Sequence, residues 1–579
     1  MKTSLLISTL ALLFSFSVSA QFQKSVGAPN ENYHDLNQTI IQDGSDDIAV
    51  AANLFDATMT NQVFTLKRVN QAGNVIWAQK YNNASFPNAR VFDIVSYLDI
   101  IVVTGSIDVG AIKRTFIARI LATTGSVMNV KYYDIVSPNF HSRGLHIEYT
   151  QSDADGDTVA DPGFVVSGFF SACYNVDVNC SNNLGFVLRT DDSLNLLWAS
   201  ELDTAVPATA DYDFINGVTE TSDGFFLSGS ATGLNPSNAT QQGVLAHKID
   251  FQGNTMWDKS YLFGNSQDVS VDAYYDAGSQ KIYALTNYSV SHYFGVTVFD
   301  NVTGTVDATQ SWYASASDFN RYGFNIMESL TSPNNLVIAG YDRDENWSSG
   351  GTSMFGNSNV FVYEFEKATG NQVGFSYQFL VPHVEPAGDE FNFWNGQMPL
   401  IYYPDMSFVY QNAIGTVNNY FHLGYRDNIT SSFTEAELFK TDANKRNICD
   451  NLELIISPNP ITTWAIQVFA GPTPAFETVM TLNVIGFNYT ETTCTEILGV
   501  NDVETETGFI YPNPVDDALF TTVVNAASYT ILDALGRTVS TGTFSQSDSI
   551  YMGDLKSGLY FINIENDLKQ SQSFKFIKK

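Results

Sequence analysis

VVTG (residues 102–105), VVSG (165–168), FLSG (226–229) and VIAG (337–340) are short apolar strands that each end on glycine. Three further stretches fit the pattern with a different last residue: IAVAAN ending at Asn53, ALTN at Asn287 and the looser FVYQN at Asn412. The seven ends are spaced 52, 63, 61, 58, 53 and 72 residues apart. A period this long, without helical patterning, points to a repeated unit of several strands.

The residues around each copy supply those strands. FTLKRV (64–69), FIARI (116–120), FVLRT (186–190) and VLAHKID (244–250) follow the first four copies. A turn and a further strand come next, as in GNVIWAQKY (73–81) and GNTMWDKSY (253–261). Related copies are LNLLWASEL, with Trp198, and GSVMNVKYY, which has Asn129 where the others have tryptophan. Gly-Asn suits a tight hairpin, and the flanking alternation has period two. Four antiparallel strands in about 60 residues, repeated seven times, predict an all-β chain built on a seven-bladed β-propeller over residues 21–446. Stacking sheets around a ring buries faces that one sheet leaves open. The repeat also resembles the divergent propeller repeats of exported Bacteroidetes proteins. A string of β-sandwiches is the alternative, and it requires linkers that the sequence does not show. Trp77, Trp198 and Trp257 recur at one repeat position, which assigns them to packing between blades.

The repeat is lost over 447–500, a small β region that reads as a degenerate sandwich or as an extension bracing the last blade. NDVETETG (501–508) is acidic and poor in apolar residues, hence a linker. From Tyr511 the chain reads YPNPVDDALF, then YTILDALGRTVSTG and MGDLKSGLYFINIE, and it stops at KFIKK. Pro512 and Pro514 fix φ and remove two donors, so the segment enters extended. These blocks, over 509–579, closely resemble the type A C-terminal sorting domain of type IX secretion in Bacteroidetes. The matching positions are Tyr511 to Pro514, Asp533 with Leu535-Gly536-Arg537, Leu555 with Gly558-Leu559-Tyr560, and Lys575 to Lys579. The resemblance implies a C-terminal β-sandwich, a partner in the type IX secretion machinery, and a chain secreted or held at the cell surface after passing through the periplasm.

The other end agrees. Lys2 precedes an apolar run from Leu5 to Val18, and Val18-Ser19-Ala20 fits the small-x-small cleavage pattern, so residues 1–20 read as a signal peptide. The run is too short to span a bilayer. The formal charge is −33, from 61 acidic and 28 basic residues. A field of this sign disfavours nucleic acid and anionic membranes as partners. The four cysteines sit in two local groups, which favours Cys173 with Cys180 and Cys449 with Cys494 in an oxidising compartment, among three possible connectivities.

Two loops carry candidate ligand chemistry. DADGDTVAD (153–161) offers Asp153, Asp155, Asp157 and Asp161 with Gly156 between them. Ca²⁺ takes six to eight oxygens, and closely spaced aspartates supply them. The string resembles the calcium loops of thrombospondin type 3 repeats, which implies a structural Ca²⁺; the plain alternative is a solvated acidic turn. DRDENWSSGG (342–351) sets Trp347 beside Asp342 and Asp344, and FNFWNG (391–396) presents Trp394. Neither tryptophan follows the repeat, and an aromatic plate with polar neighbours suits a sugar ring, or else anchors a loop. HExxH, GxSxG and P-loop motifs are absent, although paired carboxylates for glycoside hydrolysis need no motif. The reading is a non-enzymatic, exported propeller that binds a polysaccharide or a surface protein. The alternative is a secreted polysaccharide lyase or glycosidase on the same scaffold.

Overall fold

The computed structural model describes residues 22–27, most of 32–381 and 413–445, the strands between Leu452 and Thr493, and most of 510–579. Residues 1–21, 172–182, 204–212, 232–242, 344–357, 382–412 and 494–509 are the longest stretches outside it. Every described element is a β-strand, and no described helix is long and apolar enough to cross a membrane. The chain forms two compact units, Met1–Glu496 and Ile497–Lys579.

The first unit is a β-propeller containing seven five-stranded sheets. Four consecutive strands begin each of the first six blades. Blade 1 has Asn32–Ile40, Ile48–Phe55, Gln62–Val69 and Val75–Asn82, and blade 2 has Arg90–Tyr97, Ile100–Val109, Ile112–Leu121 and Val127–Ile135. Blade 3 spans His141–Thr150 to Leu196–Asp203, and blade 4 spans Phe214–Glu220 to Thr255–Leu262. Blade 5 runs from Asp268–Asp276 to Trp312–Ala314, and blade 6 from Asn320–Glu328 to Ser376–Val381. In blade 7 the strands Ala413–Gly415, Asn419–Asp427 and Thr434–Asp442 are completed by Phe22–Gly27 from the other end of the chain. The core is a ring of apolar layers between neighbouring blades. Ala49 and Phe64 meet Val103 and Phe116, and so on round to Phe421 and Leu423 against Leu36 and Val50.

Register explains the repeat. In blades 1 to 6 the innermost strand carries a β-bulge, after which stand Asn37, Asp93, His146, Gly217, Asp272 and Asn325. The bulge presses backbone onto the second strand. A Cβ on Gly105, Gly168 or Gly229 would lie 1.8–1.9 Å from the carbonyl oxygen of Arg90, Arg143 or Phe214. Asn53 and Asn287 sit one residue later than these glycines; Ala52 and Thr286 hold the glycine register. Each asparagine bonds both backbone groups of the next blade's inner strand, Asn53 at Val91 and Asn287 at Gly323, all at 2.8–2.9 Å. The seventh second strand is Asn419–Asp427, carrying Gly424, so the copy at Asn412 was misplaced; Asn412 itself lies outside the described residues.

The tryptophans pack between blades. Trp77, Trp198, Trp257 and Trp312 lie against left-handed turn glycines of the following blade, Gly125, Gly253, Gly304 and Gly370. The Nε1 groups of the first three donate to the carbonyls of Ala122, Phe251 and Asn301 at 2.9–3.1 Å. Asn129, in the tryptophan position of blade 2, keeps the same kind of link to the Ser193 carbonyl at 3.1 Å.

Residues 452–493 form neither a sandwich nor a brace for one blade. They run round the propeller in reverse, adding a fifth, outer strand to each sheet. Leu452–Leu454 joins blade 6, Pro458–Pro460 blade 5, Trp464–Ile466 blade 4 and Phe469–Pro472 blade 3. Ala475–Met480 joins blade 2, Asn483–Gly486 blade 1, and Thr490–Thr493 seals Phe22–Gly27 in blade 7. The segment is a belt that covers the exposed edge of every blade. All four cysteines fall outside the described residues.

The second unit has a three-stranded and a four-stranded sheet around Leu519, Ile531, Ile562, Ile564 and Phe576. Its sequence motifs have physical roles. Asn513 accepts from the Ile577 N–H and donates to the Lys575 carbonyl, both at 2.9 Å, so YPNP grips the terminal strand. Arg537 pairs with Asp533 at 2.7 Å.

Two expectations follow. Replacing the buried Trp257 by alanine is expected to cost about 3 kcal/mol, more than Asn129→Ala, in equilibrium denaturation. A chain of residues 21–446, lacking the belt, is expected to melt at a lower temperature than a chain of residues 21–579 in calorimetry; equal midpoints would show that the belt stabilises nothing.

Candidate functional site

The two ends of the propeller differ. At one end the first-to-second and third-to-fourth connections are mostly short turns, with 151–162, 301–311 and 367–375 as longer loops. At the other, the second-to-third and blade-to-blade connections leave; they range from the two residues between Val109 and Ile112 to 172–182, 232–242, 344–357 and 382–412. Asp342 is the penultimate residue of the second strand of blade 6. Arg343 pairs with Ser358, and Ser358 pairs with Val381, so the segments carrying Trp347 and Trp394 leave the same edge of one sheet. Asp344, Trp347 and Trp394 themselves lie outside the described residues.

The aspartate loop sits at the opposite, short-turn end. Asp153, Asp155 and Asp161 each offer a carboxylate oxygen within 4.8 Å of the others. Asp157 stands apart from this group, with Oδ1 accepting the Val159 N–H at 2.8 Å. Asp153 accepts the N–H groups of Gly156 and Thr158, both at 2.7 Å. Desolvation would raise the Asp153 pKa, but these bonds outweigh it and hold the carboxyl below its ordinary value. The loop is tied down elsewhere: Gln252 donates to the Asp153 carbonyl at 2.7 Å, and the fully buried Arg189 donates to the Asp161 carbonyl.

The innermost strands hold a constellation that the sequence reading missed. Asp93 accepts N–H groups from Ile94 at 2.8 Å and from Ile147, in the next blade, at 2.9 Å, and it pairs with His146 Nδ1 at 2.8 Å. Asp272 accepts from Ala273 at 2.8 Å and from Ile326, again in the next blade, at 2.9 Å. Glu148 accepts from the Glu220 N–H at 3.1 Å. Burial pushes Glu148 up to about 8 and Asp272 up to about 6. For His146 burial acts downwards, yet the Asp93 carboxylate overrides it and lifts the imidazole to about 9. The available signal was a polar residue about 54 positions from its counterpart, and it stays invisible until the bulge fixes the register. His141 and His146 do not converge: His141 Nδ1 accepts the Lys113 N–H at 3.0 Å instead.

Residues 509–579 match the family model of the secretion system C-terminal sorting domain. The chain is therefore an exported β-propeller protein. It carries a type IX secretion sorting tail, which directs it to the cell surface or the extracellular space. No curated protein matches the chain. Among solved structures it is similar to Sqt1 from Chaetomium thermophilum, at 8% identity and a TM-score of 0.32, covering 73% of this chain and 98% of that one. It is also similar to the extracellular domain of the putative one-component system BT4673 from B. thetaiotaomicron, at 9% identity and a TM-score of 0.23, covering 97% and 98%. Likeness at this level says nothing about a ligand.

The raised His146 pKa has a definite sign. Its contribution to stability is complete below the unfolded value of about 6.5 and is lost as pH rises through about 9. The thermal midpoint of the native chain is therefore expected to fall between pH 6.5 and 9 by more than that of His146→Asn; parallel profiles would deny the charged pair.

Proposed function

We propose that this protein is a non-enzymatic binding module that takes an extracellular glycan at the end of the propeller where the long connections leave. The observation that carries the reading is the register of blade 6, which starts the Asp342–Trp347 loop and the Trp394 segment from one edge. Two segments that start side by side and each carry a tryptophan, one of them with Asp342 and Asp344 in its sequence, suit a sugar ring better than two unrelated anchors do. A surface protein is the other partner this loop-rich end suits.

The acid and histidine groups on the inner strands are the observation that favours a lyase or glycosidase. Their bonding argues for a structural role. Each oxygen of Asp93 and of Asp272 already accepts a backbone N–H, one within its own strand and one in the next blade. These carboxylates hold blades together.

The aspartate loop is assigned to a structural Ca²⁺ held by Asp153, Asp155 and Asp161, with Asp157 shaping the turn. Three converging oxygens on a loop fastened to two blades fit a hard cation. Ca²⁺ would stiffen the loop and carry no reaction step.

The full mature chain is expected to be retarded by at least one glycan in affinity electrophoresis, with retardation lost in Trp347→Ala and Trp394→Ala. Binding that survives both changes, or degradation of the polysaccharide, would overturn the reading. Chelator is expected to lower the melting temperature of the native chain and to leave Asp153→Asn/Asp161→Asn unchanged; an identical response in both would remove the cation.

A further inference from the structure

A basic residue stands opposite the repeat tryptophan position in each of blades 1 to 4. Arg68, Arg119, Arg189 and Lys248 pair there with Trp77, Asn129, Trp198 and Trp257. In blade 1 this residue reaches backbone in the next blade: Arg68 donates to the Ala122 carbonyl at 3.2 Å. Lys440 of blade 7 makes the same kind of link to the Gln71 carbonyl of blade 1 at 2.8 Å. Between blades 4 and 5 the chemistry differs, because an amine there meets a side-chain amide.

Lys248 lies near the end of the third strand of blade 4, Asp223 in the first turn of that blade, and Asn301 in the last turn of blade 5. Lys248 Nζ is 2.5 Å from Asn301 Oδ1 and also meets Asp223 Oδ1. Asn301 Nδ2 donates to that same aspartate oxygen at 3.0 Å. The turn around Asn301 is fixed, since its N–H donates to the Gln280 carbonyl at 3.0 Å and its carbonyl accepts the Trp257 indole at 2.9 Å. Lys248 alternates in step with Val244 and Ala246, which belong to the apolar layer of Phe226, Trp257 and Phe299. Lys248 and Asn301 are 0% exposed, whereas the Asp223 side chain is 37% exposed and reaches solvent.

These three groups are a nucleophile, an acyl group and a proton carrier in mutual contact. An amide carbon lies about 1.2 Å from its oxygen, so Nζ is within about 3.7 Å of Asn301 Cγ. Attack proceeds from roughly 3–3.5 Å. Burial lowers the Lys248 pKa against the pull of Asp223, which brings the uncharged, nucleophilic amine within reach. Blade 1 lacks this chemistry: the Arg68 guanidinium stays protonated, and Ala122 has no side-chain carbonyl.

We propose that Lys248 and Asn301 join in an isopeptide bond that ties blade 4 to blade 5, with Asp223 as the proton carrier. Asp223 takes one proton from the Lys248 ammonium, and Nζ attacks Asn301 Cγ. The Nζ–Cγ bond forms and the Cγ–Nδ2 bond breaks. Asp223 passes its proton to Nδ2, which leaves as ammonia, and accepts the second proton that Nζ must lose. The carboxyl then gives that proton to the departing ammonia. One ammonium and one amide become a secondary amide and an ammonium ion, and nothing is oxidised or reduced. The cross-link closes a loop of chain between residues 53 positions apart and so restricts the unfolded state.

The test is peptide mapping of a chain of residues 21–579, purified in its native state, then reduced, denatured and digested with trypsin. A branched peptide is expected, with residues 190–259 uncut at Lys248 and joined to residues 282–321, at their summed mass less one ammonia. The map decides where the intact mass does not, because a terminal Gln21 also loses ammonia when it cyclises. Lys248→Arg and Asn301→Ala are each expected to give separate peptides only. Asp223→Ala is expected to cut the linked fraction to about a tenth or less, the weight of a positioned proton carrier. Recovery of residues 190–248 and 282–321 as free peptides from the native chain would overturn the bond. That readout needs no variant, so it stands even where a substitution prevents folding. Linkage in Asp223→Ala equal to that of the native chain would overturn the role given to the carboxylate.

Discussion

Each innermost strand of blades 1 to 6 carries one residue more than its neighbour can pair, and the rest of the propeller is arranged around that bulge. A bulge twists its strand and re-aims the side chain that follows it. In blades 1, 2 and 5 that residue points across to the next blade. Asn37 donates to the Phe92 carbonyl at 2.6 Å, and Asp93 and Asp272 accept the N–H groups of Ile147 and Ile326. A buried carboxylate is tolerated because backbone donors answer it. The same bulge pushes a carbonyl onto the second strand, which is why Gly105, Gly168 and Gly229 have no room for a Cβ. The glycines that reveal the repeat are thus a consequence of how one blade reaches the next.

That dependence sets what could be read from sequence. The four-stranded unit was legible because hydrophobic alternation and turn glycines agree over blades 1 to 4, and a tryptophan recurs in blades 1, 3 and 4. It faded where one signal dropped out. In blade 5 the tryptophan persists as Trp312, but its strand is three residues long. In blade 7 the second strand begins at Asn419, beyond a long connection, so a fixed period misleads. Asn53 and Asn287 looked like substitutes for glycine because they end a strand; the register shows them one place later, in a different task. The belt was illegible for another reason. Strands of three to six residues carry almost no side-chain pattern, and their partners lie up to 469 positions away in sequence (493 − 24), as Lys24 and Thr493 show.

The belt also answers a problem that the ring alone leaves. A propeller removes the faces of its sheets from water, yet each outer strand keeps an unpaired edge. Here the fourth strands are capped in the order 6, 5, 4, 3, 2, 1, 7, and the last cap lies against Phe22–Gly27. The first and last described strands of the unit therefore share one sheet, so blade 7 is complete only when both ends of the propeller chain are present. Closing the ring in this way ties local pairing to the most distant contact in the fold, which makes closure the step with the largest loop entropy to overcome.

Buried charge is answered at both ends of the propeller. At the short-turn end Arg68 meets Asp43 and Asp47, Lys281 meets Asp307 and Lys445 meets Glu364, while Arg189 is held by backbone carbonyls. These pairs fasten turns to strands and leave that end acidic, with the aspartate loop among its turns. At the other end, where blades 2 and 3 meet, Lys113 pairs with Asp108 and Arg114 with Asp134. Buried cations in this fold are thus held by carboxylates from neighbouring strands and turns, and the bulged inner strands supply the rigid frame that keeps those side chains in register.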